Sequence, residues 1–174
     1  MKEYAREMLP SGSVFQVAKQ AVHSPQRSIN ELVFTDADAK GVRFPHHDPL
    51  VITAMSGNHL VHRCLIDYGS SVDILHMDVL EEMRISPRSL RATVSPLRGF
   101  IGDSIFPEGS IELAMLFREE PKKSIATSNF MVVKGGSSYI IGHPTLVTMK
   151  TVTSIYYLCV KFPTPRGVGV FWEN

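Results

Sequence analysis

The chain has 174 residues, 44% of them hydrophobic and 20% charged, which suits one ordinary domain with a real core and excludes wholesale disorder. Lys and Arg number 18 against 17 Asp and Glu, so no global field exists to hold DNA or RNA by counterion release, and no local basic patch stands out. No apolar run reaches the roughly 20 residues that span a bilayer, and none at the N-terminus has signal-peptide length, so a soluble, cytoplasmic chain without an export address is expected.

Residues 1–31 mix charges with Pro10, Ser11, Gly12 and Pro25, and only Val14 to Val22 fits a short helix, so the segment reads as a linker or loosely ordered arm. From Leu32 the texture changes, and 32–163 is expected to be the folded domain. Leu50 to Met55 is apolar and partly β-branched, Ser56-Gly57-Asn58 supplies turn chemistry, and His59 to Ile66 is a second extended segment. Together they predict a hairpin that runs into Asp67-Tyr68-Gly69-Ser70-Ser71. Val72 to Leu75 is extended again, and Asp78 to Arg84 predicts a short helix. Further strands are expected at Thr93 to Phe100, Ser110 to Phe117, Ile125 to Lys134, Tyr139 to Ile141 and Val152 to Phe162, with 164–174 a C-terminal tail or strand remnant. Many short strands and one or two short helices predict a mostly β fold, a small closed barrel or a sandwich. Cys64 and Cys159 lie in apolar, strand-like runs and read as free thiols.

The pattern richest in chemistry is the apolar strand Cys64-Leu65-Ile66 delivering Asp67 into a turn of small residues. Glycine permits close backbone approach beside an acid, and neighbouring hydroxyls supply donors to it. The plainer alternative is a polar β-turn in which Asp67 and Ser70 only satisfy backbone groups. No second acid stands out in a comparable apolar and Gly/Ser setting, and Asp36, Asp38 and Asp48 lie in polar stretches. Two clusters, His59, His62 and Cys64, and His46, His47 and Asp48, invite a metal reading. In a regular strand, however, His62 and Cys64 share a face while His59 points away, so neither a metal nor any other cofactor is expected.

Asp67-Tyr68-Gly69-Ser70-Ser71-Val72-Asp73-Ile74-Leu75 resembles the active-site loop of the retropepsins, specifically the protease segment of plant gypsy-type LTR retrotransposon gag-pol polyproteins. Their loop reads Asp-Xaa-Gly-Ser-Ser, usually followed by a small residue and Asp-Ile-Leu. The likeness extends to Phe34-Thr35-Asp36-Ala37-Asp38, His46 to Val51, Gly99-Phe100-Ile101-Gly102-Asp103 and Ile140-Ile141-Gly142-His143-Pro144-Thr145-Leu146, covering nearly the whole chain. The resemblance implies a retropepsin-type acid-protease barrel and an aspartic endopeptidase with Asp67 as its catalytic residue. Tyr68, Gly69, Ser70 and Ser71 would support the loop, Gly99, Phe100, Ile101, Gly102 and Asp103 would form the tip of a flap over the substrate, and Ile140, Ile141 and Gly142 would pack behind the loop. This chemistry needs two carboxylates sharing a proton, and one such loop per chain implies a homodimer acting on a polypeptide.

Three positions depart from the family pattern. Tyr68 stands where Thr or Ser is usual in cellular and viral retropepsins, an Asn-Xaa pair is missing before Ile140, and His143 replaces an Arg. They predict weak association and low activity. The rival reading is an inactive dimerising or peptide-binding remnant, a decayed or domesticated fragment, which a chain stopping at Asn174 before any polymerase segment would fit.

Overall fold

The computed structural model describes residues 31–99, 102–136 and 138–173, so the expected arm lies almost wholly outside the described residues. Strands β1 (Val51–Ser56) and β2 (His59–Asp67) form the expected hairpin, turning at Gly57, whose φ of 57° favours glycine. After the loop come β3 (Asp73–His76) and α1 (Met77–Glu82), then a small hairpin of β4 (Leu97–Arg98) and β5 (Ser104–Ile105). The long strands β6 (Gly109–Glu119) and β7 (Lys122–Val133) follow, then β8 (Tyr139–Gly142) and α2 (His143–Thr148). The expected strand over Thr93 to Phe100 shrinks to the two residues of β4.

Six strands close into a barrel in the order β1-β2-β8-β3-β7-β6. Most pairings are antiparallel, but β8 runs parallel to β2, and β3 parallel to β7. The side chains of Ile52, Cys64, Leu75, Met115, Phe117, Phe130, Val132, Tyr139 and Ile141 fill the interior at 0% exposure, each large one contributing about 1.5–3 kcal/mol by burial. Phe130 meets Tyr139 edge-on at 4.7 Å, and the Tyr139 hydroxyl lies 2.5 Å from Ser56 Oγ, tying β8 to β1 across the core.

The alternation expected for β2 is broken inside the strand. Ile52 pairs with Cys64 but Ala54 with Val61, so His62 and Arg63 together oppose Thr53 in a bulge, with Arg63 at φ 63°. The bulge brings Val61 and Cys64, three residues apart, onto the core side. His62 is exposed while Cys64 is buried, which corrects the expectation that they share a face.

The C-terminal region also differs from expectation. The expected strand from Val152 to Phe162 is two strands, β9 (Val152–Ser154) and β10 (Cys159–Thr164), divided by a turn in which Leu158 has φ 46°. Within the expected tail, β11 (Gly167–Trp172) pairs with β10 along its whole length. The resulting sheet, β11-β10-β9, packs on the barrel through Phe162 and Phe171, whose rings lie 5.6 and 5.2 Å from that of Phe117. A strap ahead of β1 is clasped to this sheet. Lys161 Nζ lies 2.7 Å from Asp38 Oδ1 and donates to Val33 O at 2.6 Å, and Trp172 Nε1 donates to Asp38 O at 3.2 Å. Asp38, expected in a polar stretch, is therefore a buried ion-pair partner. Both cysteines are buried and free, and among the described residues no helix is long and apolar enough to cross a membrane.

Candidate active site

β2 carries Asp67 as its last residue, and the chain then turns sharply. Gly69 N–H donates to Asp67 Oδ1 at 2.8 Å, and Ser70 N–H to Asp67 O at 3.3 Å, so the turn folds back on the acid. A β-carbon at Gly69 would lie 3.2 Å from Asp67 Oδ1, closer than most side chains tolerate. Asp67 is half-buried, and among the described residues it has no Lys or Arg ion-pair partner. It lines an open, mostly apolar groove of about 540 Å³ with Leu50, Leu65, Gly69 and Ile155, and Asp48 adds a second carboxyl to the lining.

The parallel pairing of β2 with β8 places Gly142 directly beside Asp67. Its missing side chain is essential there, because a β-carbon would fall 2.2 Å from Val72 O and 3.0 Å from Ser70 O, both backbone atoms of the loop. His143 N–H donates to Ser70 O at 2.9 Å. In a hollow that shares no lining residue with the groove, Asp73 Oδ1 accepts from Gly142 N at 2.7 Å and Oδ2 from Thr145 Oγ1 at 2.8 Å. Thr145 Oγ1 also lies 2.5 Å from Ser128 Oγ. Burial pushes the Asp73 carboxyl above its usual range, and the donors from Thr145 and Gly142 only partly offset it.

Ile140 and Ile141 lie in β8, paired with Leu65 and Ile66, and all four β8 residues have a β2 partner despite the missing Asn-Xaa pair. Ser70 donates its hydroxyl to Val72 O at 2.6 Å and not to Asp67, so the expected hydroxyl support of the acid is replaced by the Gly69 amide. Ser71 lies at a separate hollow with Asp73 and Thr145. Tyr68 is 41% exposed, and its hydroxyl donates to Thr151 O at 2.9 Å. His143 is exposed at the start of α2. Gly99 and Asp103 close the β4–β5 hairpin, with Gly99 N–H donating to Asp103 O at 2.9 Å and Gly102 N–H to Gly99 O at 3.1 Å. Phe100 and Ile101 lie outside the described residues.

Sequence reasoning missed the Asp73, Thr145 and Ser128 set, and passed over Asp73 as an acid in an apolar strand beside Ser70 and Ser71. A signal was present, because Asp73 alternates with Leu75 on one face of an apolar strand, and an acid on a face that packs inward must find internal partners.

No protein-family model and no curated protein matches the sequence. Among solved structures, the retroviral protease-like domain of Ddi1 from Leishmania major superposes with a TM-score of 0.52 at 14% identity, covering 73% of this chain and 94% of that one. The chain has the retropepsin fold. A retropepsin-like aspartic protease from Rickettsia conorii aligns at 15% identity and a TM-score of 0.44, over 69% of this chain and 79% of that one.

Proposed function

We propose that this chain is a retropepsin-like aspartic endopeptidase acting as a homodimer, with Asp67 of each subunit facing the other across a two-fold axis. Its substrate on this reading is the gag-pol polyprotein of a plant gypsy-type LTR retrotransposon. The carrying observation is Asp67 itself: half-exposed in an open apolar groove, without a cation partner, on the rigid β2–β8 pair. One carboxylate of such a pair draws a proton from water while the other, protonated, polarises the scissile carbonyl. On this reading the second acid comes from another copy: Asp73, beside the loop, has both oxygens engaged by Gly142 and Thr145, and Asp48, which also lines the groove, lacks the glycine and hydroxyl turn that surrounds Asp67. β9, which contributes Thr153 to the groove, lies at the edge of its sheet among the described residues.

One observation favours the inactive remnant instead. The Tyr68 hydroxyl is engaged with Thr151 of its own subunit, which leaves no short hydroxyl next to the acid to bond across a dimer. Digestion of a peptide library at mildly acidic pH, beside Asp67→Asn and with sedimentation of both proteins, separates the readings. Cleavage lost in Asp67→Asn supports the enzyme. A dimer that cleaves nothing supports the remnant.

A further inference from the structure

We propose that Asp73 is a positioning residue for the Asp67 loop: from behind the loop its carboxyl holds Gly142 and Thr145, and through them the turn that carries Asp67. The kinetic part of this inference rests on Asp67 being the working acid, whereas the structural part does not. Asp73 opens β3, six positions after Asp67, and is 1% exposed. Among the described residues no Lys or Arg pairs with it, and a buried carboxyl without a cation is costly unless neighbouring donors satisfy it. The donors come from the segment that grips the loop. Gly142 and His143 present consecutive amides, one to Asp73 Oδ1 at 2.7 Å and the other to Ser70 O at 2.9 Å. The loop is thereby clamped to one dipeptide at its middle, Ser70, and at its exit, Asp73. Gly142 in turn pairs with Asp67 in the β2–β8 ladder and lies flush against Val72 and Ser70, so a shift of Gly142 is a shift of the acid.

Thr145 extends the latch. Its hydroxyl has one proton, and when that proton goes to Asp73 Oδ2, the Ser128 hydroxyl must donate to Thr145. The chain of bonds then runs from β7 through α2 to β3, joining three elements around the loop. The carboxyl offers one acceptor oxygen to each of the two donors, which is the gain an Asp offers over a residue with a single acceptor here.

Amide hydrogen exchange resolved by NMR tests the latch without requiring activity. The variants are Asp73→Ala, Asp73→Asn and Thr145→Val, with Ile52→Val as a core control that lowers global stability away from the loop. In Asp73→Ala and Thr145→Val, exchange at Gly142, His143 and Ser70 should speed up by about tenfold or more beyond the global change, the equivalent of one hydrogen bond. Asp73→Asn, which keeps an acceptor for Gly142, should restore much of that protection. With a cleavable peptide, Asp73→Ala should lower kcat and leave KM nearly unchanged. Loop amides that exchange no faster in Asp73→Ala than in Ile52→Val at matched stability would overturn the proposal, and if Asp73→Ala does not fold, Thr145→Val decides on the same amides. If the amides respond and the unmodified chain cleaves nothing, the latch stands and the protease reading is what fails.

Discussion

Gly142→Ala isolates how tightly the Asp67 loop is packed. At Gly142 φ is −89° and ψ −177°, a conformation open to any residue, so alanine meets no backbone penalty. What it meets is space: its β-carbon would lie 2.2 Å from Val72 O, 2.8 Å from Val72 C and 3.0 Å from Ser70 O. Carbon and oxygen rest comfortably only beyond about 3.3 Å, so the loop must retreat by about 1 Å. Those atoms are backbone, and no rotamer change relieves them. Overpacking costs about 1–3 kcal/mol, and the upper end applies here, reduced by about 0.4–1 kcal/mol because alanine stiffens the unfolded chain. A net loss of about 2–3 kcal/mol at an m-value of about 2 kcal/mol/M lowers the urea midpoint by about 1–1.5 M. Gly41→Ala is the control, since nothing lies within 4 Å of its β-carbon but φ is +83°, so it should lose only about 1–2 kcal/mol of backbone strain. A Gly142→Ala loss below that of Gly41→Ala would refute the close packing of loop on β8.

Lys161→Met leaves Asp38 buried without its cation and should cost about 3–5 kcal/mol in urea unfolding. Burial pushes the Asp38 carboxyl up, but Lys161 and the Thr35 N–H outweigh it and hold the group below its usual value. Asp38 therefore stabilises the fold above the ordinary Asp range and loses that contribution as pH falls through its depressed value, so the gap between wild type and Lys161→Met should narrow below about pH 4. Asp73 has the opposite sign: its raised value means the folded state holds the proton more tightly, so its contribution is full at low pH and is lost as pH rises. Melting scans from pH 7 to pH 4 should show wild type gaining on Asp73→Asn, and parallel curves would contradict the burial of that carboxyl. Tyr68→Phe removes the bond to Thr151 at a part-exposed site and should lower stability by about 0.5–1 kcal/mol in the same scans.

What could be read from the sequence was local, and what could not was settled by distant partners. Alternation and a Ser-Gly-Asn turn are short-range signals, so the β1–β2 hairpin and the strand leading into Asp67 are legible in the residues alone. The bulge at His62 and Arg63 is not, because periodicity assumes an unbroken register and only the partner strand fixes where two residues oppose one. Within 164–174, expected as a C-terminal tail or strand remnant, the two glycines of Gly167-Val168-Gly169-Val170 obscure a full strand. Yet a β-carbon at Gly169 would lie 2.3 Å from Phe162 Cζ, so the glycine is there to admit that ring across the β10–β11 pair. Asp38 and Lys161 meet across more than a hundred residues, and no window on the chain sees both. The same division runs through the candidate site. Asp67, Gly69 and Ser70 are contiguous and announce themselves, whereas Gly142, Thr145 and Ser128 arrive from three later elements. The acid and its turn are thus written in one short stretch, while the accuracy with which the turn is held is written in residues that only the closed barrel brings behind it.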